Sequence, residues 1–245
     1  MILELDCGNS FIKWRIFPSG TLYIAYSLNE LFLTLATLEG VKLCGARISS
    51  VRDNLETSQI AAKIKMRFGV KVQIAESTKF CAGVTNGYLE PEKLGVDRWL
   101  DVLGAYHLSK KACVVFDLGT AITADFVASD GKHLGGFICP GLPLMRSGLR
   151  FHTSKISYNI NDTKACLKSI KPGTFTAEAA ERGCLVMICG FVKQQIEHAT
   201  NLFNDDFAAF ITGGDAKLIH NFVPCAKFVP DLVFTGLALA CPFDC

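Results

Sequence analysis

Two short runs of acid, glycine and hydroxyl residues could carry out chemistry in this chain. The first is Asp6-Cys7-Gly8-Asn9-Ser10, which ends the apolar run Met1–Leu5 and continues into Phe11-Ile12-Lys13-Trp14. The second is Asp117-Leu118-Gly119-Thr120, which closes the apolar run Cys113–Phe116 and leads to Thr123 and Asp125. A glycine lets backbone N–H groups come close to an anion, and a Ser or Thr adds a hydroxyl donor. Lys13 contributes positive charge, and a carboxylate such as Asp6 suits a Mg²⁺ ion set against phosphate oxygens. Asp117, Thr120, Thr123 and Asp125 put oxygens close together, as a hard cation requires. One such turn alone would serve equally well as a polar hairpin. Two copies nearly half a chain apart, each after an apolar strand, read as a nucleotide clamp.

Between them lies Gly95-Val96-Asp97-Arg98, at the entry to a helical pattern. There Asp97 could accept a proton from an alcohol, and Arg98 could hold a carboxylate in its bidentate fork. The same pair could equally be a helix-capping Asp and a surface Arg. Thr212-Gly213-Gly214-Asp215 is a strand-to-helix turn whose glycines would let a flat ring lie on the backbone, or would simply make a tight junction. The five histidines have no metal-ligand spacing and read as surface or core groups. Neither G-x-S-x-G nor G-x-x-x-x-G-K-[ST] occurs, which argues against a serine hydrolase and a P-loop enzyme.

The elements that must position these residues alternate between strand and helix. Strands are predicted at Met1–Asp6, Phe11–Phe17, Thr21–Tyr26, Val41–Ile48 and Val70–Ala75. Helices are predicted over Asn54–Phe68, ending at Gly69, and over Leu94–Leu108. The second half repeats the scheme with strands at Ala112–Asp117, Ile122–Val127, His133–Cys139 and Phe207–Thr212. Helices follow there over Leu142–Phe151, Thr176–His198 and from Pro230 to Ala240. The expected organisation is α/β with two halves, residues 1–111 and 112–245, each opening on a phosphate turn. No linker or low-complexity stretch divides them.

Composition narrows the function. With 245 residues, half of them hydrophobic, the chain can bury a substantial core. A net charge of +2 gives no basic arm for nucleic acid or anionic lipid. No apolar stretch reaches membrane-spanning length and no leader pattern precedes the first strand. The 11 cysteines form no C-x-x-C pair, and Cys184/Cys189 and Cys241/Cys245 resemble neither a zinc knuckle nor a redox motif. They are expected to be inert reduced thiols in a cytoplasmic protein.

Taken together, these residues resemble the type III pantothenate kinases of the actin, sugar-kinase and heat-shock ATPase superfamily. The likeness runs through Asp6–Trp14, then Tyr88, Pro91 and Gly95-Val96-Asp97-Arg98-Trp99, then Asp117–Asp125. It continues with Gly135-Gly136-Phe137-Ile138, Pro140-Gly141 and Met145, then Thr176, Glu178 and Ala179, and ends at Thr212-Gly213-Gly214-Asp215. The resemblance implies duplicated actin-like (ribonuclease H-like) halves with mixed sheets, the nucleotide lying in the cleft between them. It implies phosphorylation of pantothenate by ATP, the first step of coenzyme A synthesis, with Mg²⁺, a monovalent cation (K⁺ or NH₄⁺) and a homodimer. By the same resemblance, Asp6, Cys7, Gly8, Asn9, Ser10, Phe11, Ile12, Lys13 and Thr120 contact ATP. Asp97 is the base, and Asp117 the monovalent-cation ligand. Tyr88, Gly95, Val96, Asp97, Arg98 and Thr176 line the pantothenate site. Another kinase or phosphohydrolase of the superfamily would share both turns without the Tyr88-to-Arg98 segment. A nucleotide-sensing regulator would keep the fold and lose the acids.

Overall fold

The computed structural model describes residues 1–159, 163 and 165–243. Contacts divide the chain into two compact units, Met1–Leu108 with Asp231–Cys245, and Ser109–Pro230.

In the first unit, β1 (Ile2–Cys7) and β2 (Ile12–Phe17) form an antiparallel hairpin in which Asp6 pairs with Lys13. β3 (Tyr23–Ala25) extends the hairpin side, while β4 (Gly45–Ser50) and β5 (Lys71–Ile74) add in parallel on the other. The order is β3-β2-β1-β4-β5. The central strand β1 is covered on both faces, so Leu3, Leu5 and Cys7 are fully buried. Glu4 is the exception in that apolar run. It is buried between Arg15 at 2.6 Å and Arg47 at 2.8 Å, so its charge is paired rather than stranded.

α1 (Leu28–Ala36) and α2 (Asn54–Phe68) flank this sheet. Ser27 and Asp53 cap them, each side chain accepting from the backbone N–H three residues on. α2 ends at Gly69, which takes the left-handed conformation at φ +65°. After a two-stranded hairpin, β6 (Phe80–Cys81) and β7 (Val84–Thr85), comes α3 (Val96–Ser109). Its segment Arg98–Ala105 is buried throughout.

The second unit repeats the topology. β8 (Cys113–Leu118), β9 (Ala121–Val127) and β10 (His133–Pro140) run antiparallel, and β11 (Ala208–Thr212) and β12 (Lys227–Phe228) add in parallel. The order β10-β9-β8-β11-β12 matches that of the first sheet, element for element. α4 (Leu142–His152), the long α5 (Thr176–Phe203) and α6 (Ala216–His220) belong to this unit. Arg146 of α4 forms a bidentate pair with the fully buried Glu181 of α5, which also accepts from Tyr158 at 2.9 Å.

Three expectations change. The last helix, α7 (Leu232–Ala240), follows the second half in chain order but packs in the first unit. Asp231 meets Arg15 at 2.6 Å, the Arg15 guanidinium stacks 4.8 Å from the Phe234 ring, and Gly236 lies against the backbone of Leu100 where no Cβ would fit. α1 is a helix where none was predicted, and β4 starts at Gly45 rather than at Val41. Finally, Cys44 is disulfide-bonded, whereas Cys7, Cys81, Cys113, Cys139, Cys166, Cys184, Cys189, Cys225 and Cys241 are free thiols. Cys245 lies outside the described residues. No helix among the described residues is long and apolar enough to cross a membrane.

Candidate active site

The β1–β2 hairpin places the first acid-glycine turn at the carboxyl end of β1, beside the parallel strand β4. Asp6 pairs with Lys13 on one side and with Ser49 on the other. Cys7 and Ile12, on either side of the turn, are buried in the core, while Asn9 and Ser10 are exposed. Burial pushes the Cys7 thiol up to about 12, helped by the charge of Asp6 and opposed by that of Arg52. Only the backbone of Cys7 is thus suited to a ligand. Asp6 is half-buried, and its pKa rises to about 6. Burial is the main cause; Lys13 pulls the value down, Asp97 raises it, and Ser49 pulls it down again. The influence of Asp97 brings the two acids into one electrostatic neighbourhood.

Asp97 stands in the first turn of α3, and its Oδ1 accepts the backbone N–H of Arg98 at 2.8 Å. Residue 95 must be small, because a Cβ there would come within 2.7 Å of that same oxygen. Arg98 is buried, which rules out a surface arginine. Its Nη1 donates to the Tyr88 hydroxyl at 2.7 Å, and its guanidinium lies 5.6 Å from the Tyr88 ring. Tyr88 is held in turn by the fully buried Asn86. The Asn86 Oδ1 accepts from the Tyr88 N–H at 3.0 Å, and its Nδ2 donates to the carbonyls of Thr78 and Pro91. A cleft of about 480 Å³ opens beside Gly95 and Val96, lined also by Ser50, Arg52, Glu76 and Ser77. It sits past the carboxyl ends of the parallel strands, where open α/β sheets bind ligands.

In the second unit, Asp117 pairs with Thr123 across the β8–β9 hairpin and with Thr212 on β11. The turn is held by backbone. The Gly141 N–H donates to the Thr120 carbonyl at 3.0 Å, and the Asp215 N–H to the Leu118 carbonyl at 2.9 Å. Gly213, at φ +96°, packs against the Asp117 carboxylate and Leu118. Thr120 is exposed at the tip of the turn. Asp125 departs from the expected oxygen cluster. It is buried and meets His133 Nε2 at 3.0 Å, which makes both of them core groups. Thr176 is exposed at the first turn of α5, beside a depression of about 750 Å³ lined by Leu149, Phe175, Ala179 and Met187.

Of the residues expected from sequence, the structure brings Asp6, Lys13 and Asp97 together in the first unit, with Gly95, Val96, Arg98 and Tyr88 in the same segment. Asp117, Thr120 and Thr176 belong to the second unit. Sequence reading missed Ser49, Arg52 and Asn86; the buried polar end of β4 was the available signal for Ser49. Among the described residues, no group of three or more His, Cys, Asp and Glu side chains is poised around a metal ion. A Mg²⁺ here would be bound through one or two carboxylates together with substrate phosphates and water, as that ion prefers. The raised pKa of Asp6 beside Asp97 fits such a cation, which would relieve their mutual repulsion.

The model of the type III pantothenate kinase family matches residues 2–198. The chain belongs to that family. It is 53% identical, over the full length of both chains, to a type III pantothenate kinase of Ectopseudomonas mendocina. It is 50% identical, again at full coverage, to one of Pseudomonas aeruginosa. Among solved structures it is similar to a candidate Baf-family transcriptional activator of Campylobacter jejuni. That match has a TM-score of 0.61 and 22% identity, and covers 96% of this chain and 94% of that one. A candidate 2-dehydro-3-deoxygalactonokinase of Sinorhizobium meliloti matches with a TM-score of 0.52 and 14% identity over 99% and 100% of the two chains. Both likenesses concern the fold alone, a pair of mixed sheets with flanking helices.

Proposed function

We propose that this kinase transfers the γ-phosphoryl group of ATP to the terminal hydroxyl of pantothenate, opening coenzyme A synthesis, with Asp97 as the general base. The observation that carries the reading is the convergence of Asp6, Lys13 and Asp97 at the end of β1 and the start of α3. Phosphoryl transfer asks a protein mainly for positioning and charge stabilisation. Lys13 and the backbone of Gly8–Ser10 hold the phosphates, and Asp6 would hold Mg²⁺. When bound, the ion supplies neutralisation of the phosphate charge. Arg98, steadied by Tyr88, takes the pantothenate carboxylate, and Asp97 accepts the proton of the attacking hydroxyl. In the second unit, Thr120 contacts the nucleotide and Asp117 holds the monovalent cation. Thr176 reaches pantothenate.

The proposal extends to a homodimer in the cytoplasm. The exposed apolar side chains of Phe175, just before α5, and of Val186 and Met187 on it support a dimer contact, since a monomer would leave them in water. The test of the central claim is Asp97→Asn. Turnover of ATP with pantothenate should fall by roughly 10²–10⁴-fold, the range for losing a positioned base, with ATP affinity retained. Near-normal turnover would exclude Asp97 as the base.

A further inference from the structure

We propose that Arg52 is a positioning residue that pre-sets the first phosphate turn for its anion, working through the carbonyl of Gly8. The proposal rests on reading that turn as the nucleotide-phosphate site. Arg52 lies in the loop after β4 and touches the turn from a distance of 44 residues in sequence. Its Nε donates to the Gly8 carbonyl at 2.9 Å, and its Nη1 to Glu56 Oε1 at 2.6 Å. The loop is itself tied down. The Val51 N–H donates to the Cys7 carbonyl at 3.2 Å, the Arg52 N–H to Ser50 Oγ at 3.2 Å, and Ser50 Oγ shares a hydrogen bond with Thr57 Oγ1 at 2.7 Å.

Peptide geometry turns this contact into a consequence for ligand binding. A trans peptide is planar, with the carbonyl and the next N–H pointing opposite ways. Pinning the Gly8 carbonyl to Arg52 therefore directs the Asn9 N–H away from Arg52. It also keeps the carbonyl dipole from turning toward an anion at the turn. Asn9 and Ser10 are exposed, so little other packing holds this peptide plane. The guanidinium charge is matched by Glu56, four residues on in the first turn of α2. Arg52 thus acts on the turn rather than as a phosphate ligand. A lysine would supply charge without the fork that reaches Gly8 and Glu56 together. Fixing the turn before the ligand arrives removes an ordering cost from the binding step.

The experiment compares the full-length wild type with Arg52→Ala, Arg52→Lys and Glu56→Gln. ATP affinity is measured by calorimetry, and KM for ATP and for pantothenate by turnover. In Arg52→Ala, KM and Kd for ATP should rise roughly 10-fold, in line with loss of a charge-assisted hydrogen bond, while KM for pantothenate stays within about 2-fold by the same reasoning. Guanidinium at millimolar concentration should restore part of the loss in Arg52→Ala. Arg52→Lys should fall between the two, and Glu56→Gln should move in the same direction by less. If Arg52→Ala does not fold, Arg52→Lys and Glu56→Gln carry the comparison. A wild type that binds ATP beside variants with unchanged ATP affinity would overturn the role of Arg52 alone. An equal rise in both KM values, or no response to guanidinium, would do the same. A wild type that binds no ATP would remove the reading of the turn and the role of Arg52 with it.

Discussion

The two acid-glycine turns, at Asp6 and at Asp117, occupy equivalent places in equivalent sheets, yet they are held in different ways. Side chains surround the first: the charges of Lys13 and Asp97 act on Asp6, and Arg52 grips the Gly8 carbonyl. Backbone holds the second, through the N–H groups of Gly141 and Asp215 and through glycines that leave no room for a Cβ. A duplicated topology thus supports one turn rich in ionisable groups and another shaped by main chain. The first can respond to charge and pH. The second depends on conformation.

Glycine substitutions should separate the two most sharply. Gly213→Ala puts an L-residue at φ +96° and drives a Cβ into Asp117 and Leu118. It should cost about 1–3 kcal/mol of stability and lower nucleotide affinity, read by thermal melting and calorimetry. Gly8→Ala meets only the Phe11 carbonyl at 3.4 Å, an ordinary contact, without a positive φ. Its stability should change by less than about 1 kcal/mol. Equal losses in the two variants would erase the distinction.

A gentler probe is the monovalent ion. If Asp117 holds that cation, rates at fixed Mg²⁺ should be higher in K⁺ or NH₄⁺ than in Na⁺, and Asp117→Asn should abolish the difference. Equal rates in all three salts would remove the ion from the second turn.

The smallest effect expected concerns Asp6 and stability. Its folded-state pKa of about 6 lies above the ordinary value of 3.8. Between those values the folded state binds more protons than the unfolded one, so this group makes stability fall as pH rises from about 4 to 6. Above that window the cost is constant. Asp6→Asn removes it, and should raise Tm at pH 8. The gain should shrink toward pH 4. A Tm difference independent of pH would mean that Asp6 carries no such penalty.

Much of this was legible in the residues because phosphate chemistry restricts the residue types it can use. Asp6, Gly8 and Asp117 could be picked out by type and by the strands before them, Lys13 by the turn it follows and Asp97 by its helix entry. Helices α2 and α5 showed in their periodicity, and the end of α2 in Gly69. What stayed hidden depends on contacts distant in sequence. Arg52 and Gly8 lie in separate loops without a shared motif, and Asn86 acts through three backbone groups that no pattern announces. α1 carries a helical period in Leu28, Leu31, Phe32 and Leu35, with Ser27 as its cap, but at nine residues it is short and easily passed over. Asp125 looked like a ligand because its partner, His133, comes from the next strand. Chain order could not say which sheet receives α7, since the deciding contacts are Gly236 on Leu100 and Asp231 on Arg15.

The route of α7 bears on how the molecule is made. The second unit is a continuous stretch, Ser109–Pro230, whereas the first is built from two stretches on either side of it. Domains usually mature in the order in which they leave the ribosome. Here the order is inverted. The unit that begins the chain cannot bury Leu100 or neutralise Arg15 with Asp231 until residues beyond 231 have emerged, by which time the inserted unit is complete. The nascent first sheet therefore waits, half-covered, for α7, which leaves the ribosome only after the whole of the second unit.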